Sequence, residues 1–256
     1  MEARYLQQTE LLDYEHPSVR ALIDARGWRE LEVRERIAAI YSYCRDEIPL
    51  GYNLSDDIPA SAVLADGYGQ CNTKSVLLMA LLRAVGVPCR VHGATVEKQL
   101  QQGVVDGLFY RLAPTSIVHS WAEVCFEGRW SGLEGVVVDS EYLAGLRSEF
   151  SLGGGAFQGY AVGTENIAAP DIEWDGTDTA IQATGIDRDY GVFDDPDSFY
   201  SEVGANLSGP KRLLYRYVVR HVMNRRVAQI RSCGPEAKCS LDGSGSVEPA
   251  EPAAVS

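Results

Sequence analysis

Positive charge is scarce in this chain of 256 residues: 23 lysines and arginines stand against 36 aspartates and glutamates, a formal net charge of −13. That balance excludes a general nucleic-acid binder, which carries a broad basic face. No run approaches the roughly 18 uninterrupted apolar residues of a membrane span. The opening residues MEARYLQQTELLDYEH lack the basic and apolar regions of a secretory signal, so a cytoplasmic location without a membrane span is expected. Cysteine is sparse as well. The six (Cys44, Cys71, Cys89, Cys125, Cys233 and Cys239) show no C-x-x-C spacing, which argues against a disulfide scaffold or a structural zinc site and predicts free thiols for most of them. Histidine is limited to His16, His92, His119 and His221, so the candidates for a general base are few.

What is present reads as an α+β domain. Residues 31–48 place Val33, Ile37, Ile40, Tyr41, Cys44 and Ile48 at helical spacing, an amphipathic helix that puts Cys44 in the core. PLGYNLSDDIPAS clusters Pro, Gly, Asn and Asp and reads as a loop. A second helix spans about 71–85 and stops at Gly86. Residues 87–96 are rich in β-branched side chains and predict a strand. IVHSWAEVCF and RWSGLEGVVVD follow as two further strand runs joined by a tight turn at Glu127–Gly128. Beyond Phe150 no period is sustained, and between Glu165 and Glu202 eleven acidic residues face a single basic one, Arg188. A loop of that length is functional or disordered. Residues 211–231 form a basic helix without an acidic side chain. The expected organisation is a catalytic domain over 1–150, an acidic segment with the basic helix packed on it over 151–231, and a disordered tail over 232–256.

The stretch GYGQCNTKSVLLMALLRAVGVPCR sets Cys71 behind two glycines, at the mouth of a long apolar helix. A free thiol titrates near about 8.5, and the thiolate is the nucleophile. The unpaired N–H groups and dipole of a first helical turn favour that negative sulfur, and Gly67 and Gly69 leave it approachable. A thiol nucleophile also needs a base, and a third group to orient that base. His119 shares a strand face with Trp121, Glu123 and Cys125. With a two-residue turn, Phe126 faces Arg129, and counting outward sets Trp121 opposite Glu134. Glu134 is then a diagonal neighbour of His119. Asp139 is the rival acid but falls on the other face of a straight strand.

G-Y-G-Q-C opening a helix that ends ALLRAVGVPCR, then HSWAEV, then W-S-G-L-E, resembles the transglutaminase-like superfamily over roughly residues 30–145. By position the resemblance implies Cys71 as nucleophile, His119 as base and then acid, and Glu134 where the family usually has Asp. It also implies a papain-like arrangement, the nucleophile helix packed on an antiparallel sheet that carries the histidine and the acid. The chemistry expected is acyl transfer through a thioester, resolved by water or by an amine, on a peptide or a small amide or amine substrate. Amide formation in small-molecule metabolism belongs to the same class. Tyr52, Asn53 and Gln70 are candidates for the oxyanion donor or substrate pocket, and Trp121 for shielding the ion pair. The competing expectation is a catalytically inactive binding or scaffold protein that keeps the fold.

Three features stand outside that scheme. Cys89 and Cys125 read as structural, and His92 has no spacing argument for the cleft. DIEWDGTD, from Asp171, imitates a calcium loop at its first, third, fifth and sixth positions, but its twelfth is Gln182 and no helices flank it. No cofactor is therefore expected. The basic helix is expected to dock on the acidic segment 165–202.

Overall fold

The computed structural model describes residues 3–207 and 209–233. The helical half consists of α1 (Pro17–Arg26), α2 (Val33–Ser42), α3 (Ala60–Asp66) and α4 (Cys71–Ala84). The predicted helix over 31–48 is α2 continued by a π-helical turn, Tyr43–Glu47. Every residue of α4 from Asn72 to Arg83 is buried. A helix covered on all sides is a central element rather than a surface one, and α4 is the spine on which the other elements pack. It ends before Gly86, whose φ of 81° is a left-handed geometry that favours glycine.

The chain continues as β1 (Cys89–Glu97), α5 (Gly107–Leu112), β2 (Ser116–Phe126) and β3 (Arg129–Gly132). It then forms α6 (Ser140–Phe150), a small hairpin of β4 (Phe157–Gly159) and β5 (Val162–Thr164), and β6 (Ile186–Phe193). Last come α7 (Pro196–Val203), α8 (Gly209–Leu214) and α9 (Arg220–Ser232), with a π-helical turn at Tyr215–Val219 joining the last two. The main sheet is antiparallel in the order β3-β2-β1-β6. The fold is α+β, with the cysteine helix against an antiparallel sheet.

Two departures from the sequence reading matter for the site. The run after the Glu127–Gly128 turn stops being a strand at Gly132, and Glu134–Val137 is a buried 3-10 turn. The acidic excursion also supplies the sheet's fourth strand: β6 pairs with β1 through two register shifts. Its first four residues are exposed, as an edge strand allows, and that exposure hides the strand from a hydrophobic pattern.

The packed interior has two parts. Ile37, Ile40, Leu77, Leu78 and Leu81 belong to the first, between the helices and the sheet. Val137, Tyr142, Leu146, Tyr160, Met223 and Ile230 belong to the second, where α6 and α9 meet. Burying each such aliphatic side chain contributes about 2 kcal/mol. The basic helix is anchored here by its apolar face and by Arg231, which pairs with Asp139 at 2.7 Å. The same apolar cluster holds Ile167, Ile172 and Ile181 of the acidic segment together with Met223, Val227 and Ile230 of the basic helix. The acidic segment finds its cations elsewhere: Glu173 meets Arg45, Asp189 meets His92, and Asp194 meets Arg4. Glu173 and Asp175, two acids of the calcium-like loop, turn to Arg45 and to Thr177 respectively. The tail from 234 onward, including Cys239, lies outside the described residues.

Candidate active site

The polypeptide enters α4 through a bend built from Gly67, with φ of 70°, and Gly69. A Cβ on Gly69 would come within 2.8 Å of the Thr73 hydroxyl and 2.9 Å of Lys74, so the approach to the helix requires glycine there. Gln70 is the N-cap. Its backbone N–H donates to Thr73 Oγ1 at 3.1 Å, its Nε2 donates to Asp56, and its Oε1 accepts from the Asn53 N–H at 2.9 Å. This network sets Cys71 on the first helical turn, half-buried, where backbone N–H groups have no intrahelical acceptor and the dipole favours an anion. The other described free cysteines are buried. Burial pushes the Cys44 thiol up to about 12 despite the charge of Lys74, and the Cys89 thiol up to about 11 despite Arg83. Cys233 is disulfide-bonded.

His119 is fully buried in β2, opposite Ala94 of β1. Its Nε2 donates to Glu134 Oε1 at 3.0 Å. Nδ1 has no hydrogen-bond partner among the described residues, and the Cys71 sulfur acts on the buried ring through its charge. Desolvation alone would lower the imidazole pKa. It is outweighed by the charge of Cys71 and then by the hydrogen bond and charge of Glu134, and the net effect is a rise to about 10.

Glu134 is held on both oxygens. Oε2 accepts from the Ile181 N–H at 2.7 Å, and both oxygens accept from the Gln182 N–H at 3.1 Å. Parity along a straight strand leads to Glu134, and the chain reaches the same place by another route: β3 ends, and the 3-10 turn swings the carboxylate under the imidazole. The amides of Ile181 and Gln182 lie far along the chain and are carried by backbone, so no side-chain pattern could reveal them.

The remaining candidates separate cleanly. Tyr52 and Gln70 line a cavity of about 200 Å³ that also exposes Cys71. The Tyr52 hydroxyl donates to Gln101 Oε1 at 2.5 Å, and its pKa is raised by burial and then by the charge of Cys71. Asn53 is corrected: it is completely buried, and its side chain is spent on Asp66, the Tyr68 carbonyl and Thr73. Trp121 is not among the cavity-lining residues either. It stacks on His92 at 4.3 Å and its ring lies 5.5 Å from that of His119, so it covers the imidazole instead of meeting a ligand. Asp139, the rival acid, caps α6 through the Tyr142 N–H and pairs with Arg231. It has no part in the His119 contact. His92 lies between Glu123 and Asp189, 2.8 Å from each. Among the described residues no cluster of His, Cys, Asp and Glu could hold a metal ion, and no helix is long and apolar enough to cross a membrane.

Residues 20–134 match the family model of the Transglutaminase-like superfamily, and this stretch contains the cysteine helix, the histidine strand and Glu134. Among solved structures the chain is similar to a candidate cysteine protease from Cytophaga hutchinsonii, at 17% identity and a TM-score of 0.37 over 50% of this chain and 39% of that one. It is also similar to red sea bream transglutaminase, at 18% identity and a TM-score of 0.28 over 48% of this chain and 25% of that one. The chain thus spans well under half the length of either protein. No curated protein matches the sequence.

Proposed function

We propose that the chain is a cysteine-dependent acyl-transfer enzyme in which Cys71 is the nucleophile, His119 the proton carrier and Glu134 its orienting acid. The observation that carries this reading is the position of His119, wholly buried with Nε2 3.0 Å from Glu134 Oε1 and its ring under the charge of the Cys71 sulfur. The thiolate attacks an amide or ester carbonyl, and the oxyanion is stabilised by N–H groups of the first turn of α4. The imidazolium then gives its proton to the leaving amine or alcohol, and a thioester remains on Cys71. Neutral His119 next takes a proton from water or an amine as that group attacks, which releases an acid or a new amide. The competing reading, a catalytically inactive binding or scaffold protein, rests on glutamate standing where the resemblance implies aspartate. The 3.0 Å contact of Glu134 with His119 weakens that ground.

Intact-mass measurement after incubation with p-nitrophenyl acetate tests the proposal. A single acetyl adduct on the native chain, absent in Cys71→Ala, is the expected result, and iodoacetamide should modify Cys71 far faster than Cys44, Cys89 or Cys125. Labelling of Cys71 no faster than those buried thiols would refute it.

A further inference from the structure

We propose that the cavity beside Cys71 receives an apolar acyl chain, so that the donor is a medium-chain acyl ester, thioester or amide rather than a polar side chain of a peptide. The inference rests on thioester chemistry at Cys71 and names the substrate class of that site. Its walls are mostly apolar: Leu50, Val105, Phe109, Ile117, Val137 and Met223 line the space into which Cys71 opens, with charge supplied only by Asp56, Lys211 and Arg212 among the described lining residues. A polar acyl group would need partners there, and apart from Gln182 the buried polar side chains of the wall are already engaged. Tyr52 is bonded to Gln101, Gln70 to Asp56 and Asn53, and Asn72 to the Val118 carbonyl and Ser120.

Among the described residues Gln182 Oε1 is the buried lining atom without a partner, while its Nε2 donates to the Ala161 carbonyl at 2.6 Å. Its own N–H holds Glu134, so this acceptor belongs to the triad end of the cavity. It suits a single N–H or O–H near the reacting carbonyl, not a polar chain. At the rim, Leu112 of α5 and Leu214 of α8 remain 47% and 38% exposed. Greasy side chains beside an entrance are consistent with an apolar ligand. An apolar cavity of about 150 Å³ holds a benzene ring, so one of about 200 Å³ accommodates an acyl chain of roughly eight heavy atoms.

The full chain is assayed with p-nitrophenyl acetate, butyrate, hexanoate, octanoate and dodecanoate, following the p-nitrophenolate burst and the adduct mass. Acylation kcat/KM should rise about fourfold per methylene, the equivalent of about 0.8 kcal/mol each. The rise should continue to about eight carbons and then level off or fall. Val105→Phe, and independently Met223→Trp, should lower the octanoyl-to-acetyl ratio at least tenfold. In a separate arm, Cys71→Ala is titrated calorimetrically with octanamide and with acetamide, and octanamide should bind at least tenfold tighter. Adducts that form equally fast for every chain length, without octanamide binding, overturn the acyl-chain assignment and leave the thioester chemistry standing. Octanamide binding without an adduct from any ester overturns the thioester chemistry and leaves the apolar site. Failure of both arms overturns both.

Discussion

At the scale of single residues, Glu134 is the side chain on which most converges. Its two oxygens face donors only: His119 Nε2 and the N–H groups of Ile181 and Gln182. An amide in its place must turn its own NH2 toward one of these donors. Glu134→Gln should therefore lower kcat/KM by roughly a hundred- to ten-thousandfold, the usual range for losing an oriented acid–base group. The pH profile carries a sharper signature. With His119 raised to about 10, the active imidazolium persists through pH 8 and the basic limb of kcat/KM falls only toward 10. Removing the carboxylate removes one of the causes of the rise, so in Glu134→Gln the limb moves down toward the ordinary imidazole value of about 6.5. A basic limb that stays in place in the variant would detach Glu134 from His119. Cys71 and His119 were legible in the sequence because their side chains do the chemistry and sit in recognisable local patterns. Ile181 and Gln182 were not, since a backbone N–H looks the same in every residue. Asn53 misled for the opposite reason: a polar residue in a Pro/Gly-rich loop suggests a pocket, but this one turns inward to serve Asp66 and Thr73.

At the scale of elements, the helix and strand patterns of the first half were readable because α2 buries one stripe, α4 carries a long apolar run and β1 and β2 are rich in β-branched side chains. The end of β3 was not readable, since a strand and a buried 3-10 turn with the sequence EGVV present the same apolar run. The seating of α9, whose Met223 lines the cavity, depends on a similarly quiet feature. Gly145 on α6 lies where a Cβ would approach the Ile230 carbonyl oxygen to 2.0 Å and the Arg231 backbone to 3.3 Å, so α6 and α9 meet backbone to backbone. Gly145→Val must push α9 outward at a cost of about 1–3 kcal/mol, the usual range for overpacking. Because Met223 lines the cavity and belongs to α9, the same displacement loosens the acyl site. The expected outcome in urea unfolding is a lower midpoint with an unchanged slope. Hydrogen exchange should speed up first over 220–232. A variant as stable as the native chain would mean that the helices can separate without loss.

At the scale of the whole molecule, a heavy electrostatic burden falls on Lys74, completely buried in the central helix with its Nζ donating to the Arg45 and Val137 carbonyls at 3.0 and 3.2 Å. It ties together the π-helical turn at Tyr43–Glu47, α4 and the turn that carries Glu134. Desolvation lowers its pKa from 10.5 to about 7, with Asp139, Cys44 and Asp46 opposing. Folded Lys74 therefore sheds its proton near pH 7, while the unfolded chain keeps one up to 10.5. Between those values the unfolded state binds the extra proton, so this residue makes stability rise with pH, by at most about 1.4 kcal/mol per unit. His92 acts in the opposite sense. Desolvation lowers its pKa, but Glu123 and Asp189 overcome that and raise it; its contribution is complete below 6.5 and is lost as pH climbs through the raised value. Lys74→Met deletes the rising contribution alone. It also strips two buried carbonyls of their donor, so its stability at a single pH mixes several effects, but the change with pH does not. Urea unfolding at pH 7.0 and 8.5 should show the variant gaining less, or losing more, than the native chain over that interval. Equal changes in the two proteins would mean that Lys74 keeps its proton on folding and that the turn bearing Glu134 is braced by an ammonium, not a neutral amine.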